Sequence, residues 1–154
     1  MSLISRLRTA LSLSGAERIL AVRAAIGLVG ARCALAVFGF PRVERSLEAV
    51  RVRHRREPAF AREVRRAVQR GARTIPGSTC VPQAIVATRM LRQAGLPATL
   101  TIGVARGPSV RSIVVAEPHR ALDAHAWVQS GELVVIGDGD LERFTEIAAF
   151  DAPE

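Results

Sequence analysis

The sequence contains few cysteines and few aromatic residues, and it contains no tyrosine and no lysine. Its two cysteines lie in different contexts, Cys33 in an apolar stretch and Cys80 at the start of a helical pattern. This pattern does not indicate the disulfide framework of a small secreted protein, so we predict a reducing, cytoplasmic setting. Because aromatic residues make up only 4% of the 154 residues, Ala, Val, Leu and Ile must build the core. A hydrophobic fraction of 49% excludes wholesale disorder.

All 22 cationic side chains are arginines, and the formal net charge is +8. This excess of positive charge favours contact with nucleic acid, an acidic membrane surface or an acidic peptide. It does not distinguish among these three partners. No recognition helix, RNA-binding motif or aromatic stacking platform is visible, so a nucleic-acid partner is not predicted. The densest basic run comprises Arg51, Arg53, Arg55 and Arg56.

The N-terminal stretch shows no layout typical of a secretory signal, because "MSLISRLRTALSLSG" lacks a sustained apolar region and a small-residue cleavage site. The following stretch, "ILAVRAAIGLVGARCALAVFGF", is long enough to span a bilayer. Arg23 and Arg32 would then lie at membrane depth, which is costly. We therefore expect a helix that packs on the rest of the protein or on a partner, not a transmembrane segment.

Hydrophobic periodicity divides the chain into a helical N-terminal region, residues 1–70, and a second part, residues 71–154. The first part is expected to hold a long helix that opens near Ser14 and breaks at Phe40 and Pro41. Two basic helices, "RVERSLEAVRVRHRREP" and "AFAREVRRAVQRGAR", follow it. In the second part, a helix precedes three strand patterns, "ATLTIGV", "VRSIVVAE" and the hairpin "DAHAWVQSGELVVIGD". The predicted class is α+β, with a helix packed on an antiparallel sheet.

Cys80 is predicted to stand at a helix N-terminus. Ser78 and Thr79 are good N-cap types, Pro82 falls in the first turn, and Gly95 ends the apolar pattern. Unpaired N–H groups and the helix dipole favour an anion at such a position, and so favour a thiolate. Buried structural cysteines are nevertheless common, so this stretch alone leaves both roles open. Cys33, in the middle of an apolar helix, is expected to resist alkylation until the protein unfolds.

A thiolate nucleophile needs a base, and the base needs a group that orients it. His54 lies in the arginine run and His119 in a loop, whereas His125 falls in a strand. There it shares the polar face with Trp127, since alternate residues take the apolar face. A two-residue turn at Ser130 and Gly131 would pair His125 with Ile136, and it would make Asp138 a diagonal neighbour of the imidazole. Asp140, two residues further along, would lie on the same face of the strand. It is the alternative to Asp138 as the carboxylate that orients His125.

The stretch "STCVPQAIVATRMLRQAGLPATLTIGV", followed by "AHAWVQSGELVVIGD", resembles the transglutaminase-like superfamily. In particular it resembles the leader peptidases of lasso peptide biosynthesis, the lasso peptide B proteins. The matching pieces are Cys80 opening a helix, the "LRQAGLPATLTIGV" passage, "HAWV" with His125, and "VVIGD" ending in Asp138.

This resemblance implies a papain-like fold with Cys80 as nucleophile, His125 as general base and acid, and Asp138 as orienting carboxylate. It also implies removal of the leader from a ribosomally made precursor peptide. A separate small leader-recognition protein would present that precursor, and an asparagine-synthetase-like cyclase would then close the macrolactam ring. No cofactor is implied, and no cysteine or histidine stands at metal-ligand spacing from Cys80.

Two other function classes remain open from the sequence. A transglutaminase or an arylamine acetyltransferase would use the same three residues for acyl transfer, although both families are usually larger. A non-catalytic basic binding module would explain the charge without any chemistry.

Overall fold

The computed structural model describes residues 14–50, 56–105 and 123–151, which form four helices and a four-stranded antiparallel sheet. The helices are α1 (Gly15–Phe38), α2 (Phe40–Glu48), α3 (Phe60–Thr74) and α4 (Cys80–Gln93). The strands are β1 (Thr99–Ala105), β2 (Ala124–Ser130), β3 (Leu133–Ile136) and β4 (Phe144–Phe150), in the spatial order β3-β2-β1-β4. A 3₁₀ turn, Leu141–Arg143, precedes β4. The predicted α+β class is confirmed.

Helix α1 begins where the sequence predicted. Ser14 is its N-cap and forms a capping box with Glu17, in which each side chain accepts from the other residue's backbone N–H. These hydrogen bonds from Ser14 lower the pKa of Glu17. The helix ends at Gly39, whose φ of 73° lies in the region that glycine tolerates. Phe40 and Pro41 end α1 as predicted, and they also start α2.

One face of α1 is buried and the other is exposed. Leu20, Ala24, Leu28 and Ala31 face the core, whereas six large apolar residues are exposed: Ile19, Val22, Ile26, Val29, Val37 and Phe38. By length and composition α1 could cross a membrane. This is weak evidence for a membrane span, because the core helix of a soluble protein can have the same length and composition. Both interior arginines bond within the fold, Arg23 to the Gln93 amide oxygen at 3.1 Å and Arg32 to the Pro76 carbonyl. These bonds tie α1 to the rest of the described chain.

Cys33 is exposed, so the expectation that its thiol is shielded is wrong. The apolar composition of α1 suggested burial on all sides. The helix instead packs on α3 and α4 from one side only. Cys33 lies on the opposite side, in helical register with Ile26 and Val29.

Helices and sheet share one hydrophobic core. It runs from Leu28 of α1 through Val64 of α3 and Leu91 of α4 to Leu100 and Val128 of the sheet. Among the described residues Arg92 is the one charged side chain in the buried class, at 5% exposure. Burial lowers the pKa of its guanidinium.

The β2–β3 hairpin corrects the predicted register. Ser130 pairs with Leu133, so the turn residues are Gly131 and Glu132, not Ser130 and Gly131. Gly131 takes a φ of 59°, which suits the first central position of a type II′ turn. The register then shifts between Val128 and Gln129, so that Ile136 lies opposite Val128 and not opposite His125. A bulge of this kind changes every pairing beyond it.

Several predicted features lie outside the described residues. They are the strand "VRSIVVAE", His54, His119 and three members of the basic run, Arg51, Arg53 and Arg55. Of the first predicted basic helix, the structure describes α2, which ends at Glu48. The second is confirmed as α3.

Candidate functional site

Cys80 is the first residue of α4, as predicted. Thr79 occupies the N-cap position with an extended backbone, and its hydroxyl does not bond to the first turn. The N-terminal N–H groups of α4 therefore receive no side-chain cap from Thr79. Cys80 is partly exposed and packs against the edge of the core. A thiol here combines solvent access with the positive end of a helix dipole.

Cys80 begins α4, and His125 lies near the start of β2. Residues 94–98 connect the end of α4 to the start of β1. Strand β2 is antiparallel to β1, with His125 opposite Gly103 near the end of β1. Within the described chain, no hydrogen bond joins the Cys80 thiol to the His125 ring.

His125 is held on a rigid element among aromatic rings. It stacks on Trp127 with ring centroids 6.2 Å apart, and its ring lies 5.0 Å from that of Phe144. Ala126 and Val128 belong to the core shared with the helices, as predicted, whereas Ala124 is exposed and Trp127 is buried on the face that it shares with His125.

Gly103 leaves room for the indole ring of Trp127. A Cβ at Gly103 would lie 2.9 Å from the indole ring and from the Thr145 carbonyl oxygen. The indole therefore rests directly on the backbone of β1, and it is only 8% exposed. Glycine within a strand often marks such a close approach.

Gly137 supplies the hydrogen-bond partner of His125. The Gly137 carbonyl oxygen lies 3.0 Å from the imidazole Nε2. A carbonyl only accepts, so Nε2 carries the hydrogen and donates it. Gly137 has a φ of 81°, and a Cβ there would lie 2.6 Å from the Ala126 carbonyl oxygen. No other residue type fits this conformation and this close approach.

Asp138 lies one residue beyond this carbonyl, and its carboxylate forms an ion pair with Arg65 of α3. Among the described side chains, the hydrogen bond of His125 goes to Gly137 and that of Asp138 goes to Arg65. The role of Asp138 as the carboxylate that orients His125 stays a prediction. Asp140 has a left-handed φ of 38°, and Arg143 lies 3.6 Å from its carboxylate.

Sequence reasoning did not identify Gly137, Gly103 or Arg65 as parts of this site. The two glycines carried a usable signal, since each interrupts or ends an apolar strand pattern. Arg65 carried none, because it is one of several arginines on α3 and is 73 residues from Asp138.

The described residues contain no group of three or more His, Cys, Asp or Glu side chains placed to hold a metal ion. The site's own groups suit nucleophilic chemistry, with a thiol at a helix N-terminus and an imidazole of defined tautomer. They also suit proton transfer, since Nδ1 is left as an acceptor.

The comparison with protein families decides the membership of the chain. The model of the transglutaminase-like superfamily matches residues 25–149, which include α4, the sheet and most of α1. The chain belongs to the transglutaminase-like superfamily. No curated protein and no solved structure matches it significantly. Membership in this superfamily supports a cysteine protease or acyltransferase type of function.

Proposed function

We propose that this transglutaminase-like protein is a cysteine peptidase that removes the leader from a lasso precursor peptide. The observation that carries the proposal is the position of Cys80, the first residue of a helix inside the superfamily match. A histidine on β2 whose Nε2 is bonded to the Gly137 carbonyl oxygen supports it. A reducing, cytoplasmic location fits the two free cysteines.

In the proposed reaction, the Cys80 thiol gives its proton to His125 and the sulfur attacks the scissile carbonyl. The backbone N–H of Cys80 is placed to stabilise the resulting oxyanion. The imidazolium then protonates the leaving amine, which leaves an acyl-thioester on Cys80. A water molecule gives a proton to His125 and attacks the thioester, which releases the carboxylate and restores the thiol. Sulfur and imidazole must come within hydrogen-bond reach when substrate binds.

Acyl transfer differs from this scheme only in the last step, where an amine replaces water. The third residue of the proposed site is Asp138, which lies next to the carbonyl that holds His125. Its removal should slow the reaction without abolishing it.

The proposed partners are the precursor, a separate leader-recognition protein and an asparagine-synthetase-like cyclase. A groove of about 670 Å³ between α1, α2 and α4 supports a peptide or protein partner. Ile26, Phe38 and Met90 are among its apolar lining residues, and Arg23, Arg42 and Arg89 also line it. Since no carboxylate of the described chain lines this groove, its charge suits an acidic amphipathic segment.

Cleavage of a synthetic lasso precursor peptide, leader and core together, tests the proposal. With the recognition protein present, mass spectrometry should show release of the leader as a free carboxylate. Cys80→Ala and His125→Ala should abolish release and leave circular dichroism unchanged. A Cys80→Ala protein that still cleaves the precursor would end the proposal. A product joined to an added amine, with no hydrolysis, would assign the chain to acyl transfer.

A further inference from the structure

We infer that the Gly137 carbonyl is the direct partner of His125, and that Arg65 and Asp138 are positioning residues that hold this carbonyl in place. The inference rests on the proposed function, because it concerns the orientation of the proposed general base. It departs from a direct carboxylate–imidazole pair. It also gives α3, most of which lies in the predicted N-terminal region 1–70, a part in the site.

Arg65 holds both ends of the segment that contains Gly137. Its Nη1 donates to the Val134 carbonyl oxygen at 2.9 Å, and its Nη2 donates to the Asp138 carboxylate. The Arg65 side chain is 29% exposed and the Asp138 side chain 48%, so only the Arg65 side of this contact is partly shielded from solvent. A planar guanidinium that reaches two acceptors fixes their separation more firmly than a single bond does. The three residues between these acceptors thus have fixed ends.

Packing fixes the same segment from inside. Val135 and Ile136 are fully buried, at 0% and 2% exposure. Gly137 then turns with a positive φ against the backbone of Ala126 and Trp127. Its carbonyl is directed at Nε2 of His125, on the neighbouring strand.

The chemical consequence is a fixed tautomer. Because the carbonyl accepts from Nε2–H, Nδ1 is the ring nitrogen that can take the Cys80 proton. A main-chain carbonyl is neutral, so it orients the imidazole without adding a full charge beside it. The charge of Asp138 is met by Arg65 instead.

Three variants separate a positioning role from a direct one. Asp138→Asn keeps an oxygen that accepts from Arg65, whereas Asp138→Ala and Arg65→Met break the contact. Arg62→Met is the matched control, because Arg62 is exposed on the same helix. The tautomer of His125 is read from ¹⁵N chemical shifts of the imidazole, and the cleavage rate is measured in parallel.

Asp138→Asn should retain the Nε2–H tautomer and lose about threefold in cleavage rate, as for one weakened neutral hydrogen bond. Asp138→Ala removes one charge-assisted contact and Arg65→Met removes two, so both should mix the tautomers and lose about tenfold or more in cleavage rate. Circular dichroism must show that each variant is folded, and Arg62→Met should match the wild type.

The inference is overturned if Asp138→Asn is as damaging as Asp138→Ala, about 10³-fold or more, which is the behaviour of a direct carboxylate partner. It is also overturned if Arg65→Met leaves both the tautomer and the rate unchanged. The tautomer measurement needs no substrate. A wild-type protein that holds Nε2–H but cleaves no precursor would therefore sink the proposed function and leave this inference standing.

Discussion

Arg92 joins three segments of the chain through its guanidinium. It donates to the carbonyl oxygens of Leu47 at 3.0 Å, Ala98 at 3.0 Å and Phe150 at 2.8 Å. These carbonyls end α2, precede β1 and end β4. Burial removes water from the charged guanidinium, and this desolvation lowers the pKa of Arg92.

Replacing Arg92 with methionine should destabilise the fold by about 3 kcal/mol or more, because buried carbonyls lose their donor. Urea unfolding followed by circular dichroism measures this change. Arg89→Met is the control, since Arg89 is exposed on the same helix, and it should stay within about 0.5 kcal/mol of the wild type. Equal stability of both variants would show that Arg92 does not anchor these segments.

At the residue scale, the sequence predicted the places of Cys80 and His125 but not the contacts that hold the imidazole. Cys80 carries local signals: an N-cap type before it and Pro82 after it. The partner of His125 is a main-chain carbonyl, which no side-chain pattern reveals. Arg65 reaches the site only through tertiary packing of α3 beside β3.

Among the elements, α1 offers a titratable contact at its start. The pKa of Glu17 is lowered in the folded protein by its hydrogen bonds to Ser14. The stabilisation is therefore present above the ordinary glutamate pKa and is lost as the pH falls through the lowered value. The first turn of α1 should open more readily in that acidic range.

Hydrogen exchange at the first turn of α1, followed from neutral pH to below pH 4, should show this loss of protection. Glu17→Gln should remove the pH dependence, because glutamine does not ionise. Glu63→Gln in the first turn of α3 is the control, since that helix has no side-chain cap. Unchanged pH dependence in Glu17→Gln would assign the effect to another group.

The β2–β3 hairpin shows why register was harder to predict than strand content. Alternation in "DAHAWV" correctly separated His125 and Trp127 from Ala126 and Val128. The turn position depended on which residue next to Gly131 joins the strand, and the bulge depended on how Val135 packs in the core. Neither has a local sequence signature, so the sequence could not show that His125 bonds to Gly137 and Asp138 to Arg65.

For the whole molecule, the groove between α1, α2 and α4 combines apolar side chains with positive charge. The basic run that the sequence singled out lies mostly outside the described residues. The groove adds Arg42 and Arg89 as exposed cations beside apolar lining residues. Complementary charges of this kind act mainly on association and are screened by salt.

Arg42→Gln and Arg89→Gln together should therefore weaken binding of the precursor and recognition protein severalfold at low ionic strength, and less at high ionic strength. Fluorescence anisotropy with a labelled precursor, at two salt concentrations, measures this. Arg62→Gln on α3 lies outside the groove and should have no effect. Identical affinities for all three proteins would remove the groove from the proposed assembly.

The rate of alkylation of Cys80 by iodoacetamide at pH 7 tests the central claim most directly, because it needs no substrate. Cys33 is an exposed thiol in the middle of a helix and gives an internal reference. We predict that Cys80 reacts about tenfold faster than Cys33 or more. In His125→Ala the ratio of the two rates should fall toward one. Equal rates for both cysteines in the wild type, unchanged by His125→Ala, would contradict an activated nucleophile at Cys80.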